Sequence, residues 1–137
     1  MSEPVFKPCM QNQPMLFPPD VSDLIPANAM VRAVDSIVNS LDRKTLTDLY
    51  PGGGTSAYDP SMMLKVVIYS YAKGIYSSRK IAQATREDVN LLWLTGMRPL
   101  EHNTVNRFRS TRIRPVFEQV FTSVVLLLAD AGMVDLD

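Results

Sequence analysis

After residue 26, apolar positions in this chain recur at helical rather than strand spacing. Val31, Val34, Ile37, Val38 and Leu41 form one stripe of a helix predicted over about 27–41, opened by Asn28 or Ala27, with Arg32, Asp35 and Asn39 on other faces. A short second helix is predicted over Asp42–Tyr50, with Leu46 and Leu49 inward, ended by Pro51 and the glycines 52–54. Asp59–Pro60 supplies an N-cap and a proline at the first helical position. The segment 60–73 that follows is apolar nearly all round, and Gly74 stops it. A helix without a polar face belongs at the centre of a bundle. Val66, Val67 and Ile68 also suit a buried strand, but the caps and the length favour a helix.

Shorter elements follow. Ser77 or Ser78 caps a helix reaching about Arg86, with Ile81, Ala82 and Ala84 available to pack. Asp88 caps Val89–Thr95, with Leu91, Leu92 and Trp93 for the core, and Gly96 closes it. Pro99 lies in a loop, and Asn103 caps a short helix over about 104–110. A final helix spans about 113–131, with Pro115 in its first turn and Phe117, Val120, Phe121, Val124 and Leu128 as its stripe; Gly132 ends it. Residues 1–26 hold six of the ten prolines, which predicts an extended arm. Phe6, Met10, Met15, Leu16 and Phe17 in that arm predict that part of it packs on the body or on a partner. The pattern therefore predicts an all-α fold, a compact bundle of about six to seven helices over 27–132. Within it a helix-turn-helix-like unit of three helices is expected at about 77–112. Residues 133–137 alternate apolar and acidic and read as the start of a linker or strand.

At 137 residues and 46% hydrophobic, the chain suits one domain with a proper core. A single cysteine, Cys9, forms no intramolecular disulfide and has no activating neighbour in sequence, so a reducing cytoplasm is the expected compartment. No secretory signal is expected, because the first residues contain no apolar core segment. Val124–Ala129 is apolar but far short of the roughly 20 residues of a membrane span. One histidine and one cysteine far apart make no zinc site. The glycines 52–54 lack the Gly-Lys-Ser/Thr ending of a phosphate loop and follow no strand, so they read as a turn.

Net charge is zero, with 14 basic and 14 acidic residues, and this total conceals an asymmetry. Between Lys73 and Arg114 there are nine Lys/Arg against Glu87, Asp88 and Glu101, so this segment is +6 and the remainder −6. A basic block built of short helices is the sequence footprint of a helical DNA reader. Candidate contacts to double-stranded DNA are Arg79, Lys80, Arg86, Arg98, Asn103, Thr104, Asn106, Arg107, Ser110, Arg112 and Arg114. At about 100° per residue, Val105 and Phe108 share the inward face of the 104–110 helix. Asn106, Arg107 and Ser110 then face out, with Thr104 at the flank. Arginine donates twice to guanine and asparagine pairs with adenine, so these side chains suit base edges. Arg109 falls beside the inward face, which predicts a structural role: an ion pair with an acid such as Glu101, or a bond to the backbone. For Arg107, Arg112 and Arg114 the plainer alternative is a solvated surface, and the charge asymmetry favours nucleic acid. His102 reads as a loop or capping residue, Asp59 and Asp88 as caps, and Tyr69, Tyr71, Tyr76 and Trp93 as core rather than a stacking platform.

Four stretches resemble the N-terminal helical domain of bacterial insertion-sequence DDE transposases of the InsH-like group. They are QNQPMLFPPDVSDLIPANAMVRAVDSIVNSLD, YDPSMMLKVVIYSYAKGIYSSRKIAQATREDVNLLWLTG, RPLEHNTVNRFR and FEQVFTSVVLLLADAGMVDLD, in that order along nearly the whole chain. The resemblance implies recognition of transposon terminal inverted repeats, a bacterial nucleoid-associated setting, and multimers that join two ends, so a homodimer through the apolar last helix or the arm is expected. It also implies a following ribonuclease-H-like domain whose carboxylates hold two divalent metal ions, Mg in type. The first of those carboxylates is expected beyond Asp137, and neither Asp135 nor Asp137 takes that role. No catalytic residue, cofactor or metal is therefore expected within these residues, and the rest of the same polypeptide is an expected partner. A protein-interaction domain and a truncated repressor of transposition are the competing readings. A small enzyme is disfavoured, because no His/Cys/carboxylate cluster converges.

Overall fold

Asp59 and Pro60 begin the central element. In the computed structural model, which describes residues 4–7, 11–12, 20–42, 44, 58–112 and 117–133, the Asp59 carboxylate accepts the Ser61 amide at 2.8 Å. The helix behind this cap, Pro60–Ala72, follows the predicted bounds closely. Its inward residues Met63, Leu64, Val66, Val67 and Ile68 are completely buried. No strand occurs among the described residues, so the valine–isoleucine run is helical.

Six α-helices are described: α1 Met30–Asn39, α2 Pro60–Ala72, α3 Ser78–Glu87, α4 Val89–Leu94, α5 His102–Arg107 and α6 Phe117–Asp130. The all-α expectation holds. The apolar stripe of α1 buries Val31, Val34 and Val38 against the core, with Ile37 and Leu41 partly covered. Each fully buried valine contributes roughly 1.5–3 kcal/mol. Helix α1 packs on α2, α4 and α6, and α2 also meets α3 and α4. Lys65 of α2 and Asp35 of α1 close an ion pair at 2.7 Å beside this seam. Helix α6 buries Val124 and Leu128, with Val120 and Phe121 partly covered, as its stripe predicts. The predicted second helix over 42–50, the glycines 52–54, Cys9 and the tail 134–137 lie outside the described residues, apart from Asp42 and Lys44.

The start of α1 differs from the sequence expectation. Helix α1 starts at Met30 behind Ala29, later than expected, because the preceding residues fold into a separate 3-10 turn, Val21–Leu24. Residues 21–24, placed in the predicted extended arm, are therefore helical. The Asp20 carboxylate caps the turn by accepting from the Ser22 backbone, and that hydrogen bond holds its pKa below the ordinary value. Arg32 of α1 fastens the turn by donating to the carbonyls of Ser22 (2.6 Å), Ile25 (2.9 Å) and Pro26 (3.0 Å). Its guanidinium also lies 5.2 Å from the centre of the Trp93 ring. Ile25, which follows the 3-10 turn, is buried, whereas Val5 and Phe6 are exposed; Met10, Met15, Leu16 and Phe17 lie outside the described residues.

Helices α2, α4 and α6 end alike. In each, a glycine with positive φ (Gly74, Gly96, Gly132) donates its amide back to the carbonyl three residues earlier, and the next residue reaches one carbonyl further back. This is the Schellman arrangement. After Gly96 the left-handed conformation continues into Met97, at φ 67°, an unfavourable setting for a side-chain-bearing residue. The chain is thereby turned sharply into the loop that delivers α5.

Candidate nucleic-acid interface

Helices α3, α4 and α5 form the basic part of the molecule. The Ser77 hydroxyl caps α3 by accepting the Lys80 amide at 3.1 Å, and Asp88 caps α4 by accepting the Asn90 amide at 2.8 Å. Two polar contacts then set α5 on α3. Buried Thr85 donates to the Ala82 carbonyl (2.6 Å) and accepts the Leu100 amide (3.0 Å), which pins the loop residue before α5. At the other end, Arg109 donates to the Ser78 hydroxyl at 2.9 Å. The end of α3 thus meets the start of α5, and its start meets the residues after α5, so the two helices run antiparallel.

This arrangement explains two corrections. Asn103 was expected to cap the helix, but α5 begins at His102 behind Glu101, so Asn103 sits in the first turn. Burial of Leu100 and its bond to Thr85 fix where the helix starts, overriding the better local capping residue. His102, expected in a loop or as a cap, is the first residue of the helix. Second, Arg109 pairs with Ser78 and not with Glu101, which lies at the opposite end of α5. The Arg109 guanidinium also rests 5.4 Å from the centre of the Tyr71 ring. Tyr71 meets Phe121 of α6 edge-on at 5.7 Å and Tyr76 at 5.5 Å. Arg109 therefore ties the turn after α5 to α2 and α3, which is the structural role its position predicts. Tyr76, expected in the core, is 61% exposed.

Val105 and Phe108 are buried at 0% and 2% exposure, which leaves Asn103, Asn106 and Arg107 exposed and Thr104 on the flank. After Arg107 the backbone widens into a π turn, Phe108–Arg112, where an α-helical ending near residue 110 was expected. Ser110 is exposed, but its hydroxyl donates to the Asn106 carbonyl at 2.8 Å, so it offers only acceptor lone pairs outward. Arg112 belongs to the π turn by its backbone, and Arg114 lies outside the described residues.

Among the basic candidates, Arg79 and Arg86 are brought to α5. Together with Gln83 they occupy positions i, i+4 and i+7 of α3 and line a cleft of about 410 Å³ with Ala82, Glu101 and His102. Lys80 is also exposed, but it is turned about 100° around α3 from Arg79 and does not line this cleft. Arg98 is exposed on the loop between α4 and α5. Gln83 and His102 were not among the predicted contacts. The spacing of Arg79, Gln83 and Arg86 was a readable signal for the first, whereas His102 was hidden by the misplaced start of α5.

Tyr69, buried in α2, accepts a hydrogen bond from the Asn90 side chain at 3.0 Å. Burial, reinforced by the Asp88 carboxylate, pushes its phenol up to about 12 against the smaller opposing effect of Asn90. Among the described residues no three His, Cys, Asp or Glu side chains gather as a metal site, and no helix is long and apolar enough to cross a membrane.

No curated protein and no solved structure matches the chain. A family model does: the transposase domain DUF772 matches residues 19–111, from the 3-10 turn through α5 and most of the π turn. That match covers more than half of the chain and takes in the whole α3–α5 unit, and the chain belongs to the DUF772 transposase-domain family.

Proposed function

We propose that this chain is the DNA-binding N-terminal module of an insertion-sequence transposase of the InsH-like group, which recognises the terminal inverted repeats of its element. In this reading α3, α4 and α5 form a helix-turn-helix-like unit and α5 enters the major groove. The observation that carries it is the seating of α5: Val105 and Phe108 hold one face in the core, and Asn103, Asn106 and Arg107 are presented on the other. Arg107 and Asn106 are the base readers. Arg79, Lys80, Arg86, Arg98, Arg112 and Arg114 supply backbone attraction, with Thr104 and Ser110 at the edges of the contact. Strand cleavage is assigned to a separate metal-dependent domain of the transposase.

The test is binding to a duplex carrying the terminal repeat and to a shuffled duplex, over a series of salt concentrations. Tighter binding to the repeat is expected, and Arg107→Ala should remove the preference while the helical circular-dichroism signal stays intact. An Arg107→Ala protein that keeps its fold and its full preference would refute the assignment.

One observation favours an assembly role as a second reading. Leu126 and Leu127, adjacent on α6, are 51% and 46% exposed, an apolar surface that a partner would cover. Equal weak binding to both duplexes, together with a dimer in light scattering that Leu126→Glu dissociates, would favour it over DNA recognition.

A further inference from the structure

The cleft between α3 and the start of α5 lies beside the base-reading face and differs from it in chemistry. One wall carries Arg79, Gln83 and Arg86, the other Glu101 and His102. Its volume of about 410 Å³ is many times the roughly 30 Å³ of one water, enough for an oxyanion with its hydration. Arg79 and Arg86 have no hydrogen-bond or ion-pair partner among the described residues, and both are exposed. Glu87, the nearest acid on α3, is engaged by Gln83 at 3.2 Å. Two guanidinium groups two turns apart on one helix face, with no carboxylate between them, leave a positive site that an anion would neutralise. Guanidinium forks suit phosphate oxygens geometrically.

His102 stands opposite, half buried. A neutral imidazole offers one N–H, whereas a protonated one offers two and a positive charge. The charged groups facing it are Arg79 and Arg86 from α3 and Glu101 from its own segment. With His102 neutral the cleft carries +1, and with His102 protonated +2.

We propose that this cleft holds one phosphodiester of the bound DNA backbone, with Arg79 and Arg86 as constant partners and His102 as a partner that engages on protonation. The inference rests on the DNA-binding reading and extends it. The outward face of α5 reads sequence, and the cleft fixes register on the backbone without regard to sequence. Affinity for any duplex should therefore be higher with His102 protonated than with it neutral.

The chain has a single histidine, so its imidazole NMR signal reports on this site alone. The probe is a mixed-sequence duplex of about two helical turns at low, constant salt. Saturating duplex should move the His102 imidazole signal toward its protonated form, and the duplex should bind several-fold more tightly at about pH 5.5 than at about pH 8. His102→Gln should flatten this pH dependence, with folding checked by circular dichroism. Arg107→Ala should weaken sequence preference and keep the pH dependence. Duplex that binds while the His102 titration stays unmoved, or a His102→Gln protein that keeps the wild-type pH dependence, overturns the cleft assignment and leaves the DNA reading standing. Failure of the wild-type chain to bind any duplex, terminal repeat included, at any salt overturns both.

Discussion

Helix α2 buries eight of its thirteen residues, and α5 buries one of its six. The first is held mainly by apolar area; among the described residues the hydroxyl of Ser70, fully buried in α2, has no hydrogen-bond partner. The second is too short to be held that way. Its position comes from the neighbouring anchors Leu100 and Phe108, and from two hydrogen bonds, Leu100 to Thr85 and Arg109 to Ser78. Apolar burial is roughly proportional to area and has no direction, whereas hydrogen bonds fix distance and angle. A helix that must aim side chains at a partner gains from the second kind of support, and a helix that must hold the bundle together gains from the first. Changes in α2 should therefore be read in stability, and changes in the α3–α5 unit in orientation and binding.

The strongest challenge to this division is Leu64→Ala. Leu64 is fully buried at the centre of α2, and truncation removes transfer energy and leaves a cavity. A loss of about 2–5 kcal/mol is expected from urea denaturation. A loss below about 1 kcal/mol would mean that α2 is not the core this comparison takes it to be.

Tyr69 joins the two regions, and pH tests the joint. Its free phenol ionises near 10.0, and in the fold near 12. Between these values the unfolded chain gives up its proton while the folded chain keeps it, so the folded state binds more protons and stability falls as pH rises. The loss is about 1.4 kcal/mol per pH unit across that window, and below pH 10 there is none. Tyr69→Phe should remove this part of the alkaline slope, measured by denaturation at pH 9 and pH 11.

Thr85→Val keeps the shape of a buried side chain and deletes its hydroxyl. The Leu100 amide loses its acceptor in a buried setting, a cost of about 1–3 kcal/mol. Thr85→Ser should restore most of it. If the hydrogen bond aims α5, Thr85→Val should also weaken duplex binding by more than its stability loss explains, under conditions where the protein remains folded. Binding unchanged in the folded variant would show that apolar anchoring alone orients α5.

The same division governs what the sequence discloses. Patterns that act within a few residues were readable: Asp59–Pro60, Ser77 and Asp88 as caps, Gly74, Gly96 and Gly132 as terminators, and the α1 stripe all stand where the spacing puts them. The inward set of α5, Val105 and Phe108, was equally plain. Features decided by contacts between distant residues were not. Asn103 is a stronger capping residue than Glu101, and only the bond between Leu100 and Thr85, fifteen positions apart, moves the start of α5. Arg109 was correctly given a structural role, but its partner Ser78 lies 31 positions away. The cleft follows from the antiparallel seating of α3 and α5, so His102 could not be assigned to it from local pattern.

The smallest effect on stability should come from Arg86→Gln, which makes it the sharpest test of the rim. Arg86 is exposed, and its partner set within the described fold is empty, so its removal should change stability by no more than about 0.5 kcal/mol. Its effect on binding should be of a different kind. A side chain that neutralises one phosphate releases one counterion, so the slope of log affinity against log salt should fall by about 0.9 for duplex DNA. That reduction should be equal for the terminal repeat and for a shuffled duplex, because a backbone contact carries no sequence information. Arg107→Ala, by contrast, should act mainly on the difference between the two duplexes. If Arg86→Gln altered sequence preference instead of the common slope, α3 rather than α5 would be the element facing the bases, and the helix held by directed hydrogen bonds would not be the one that reads.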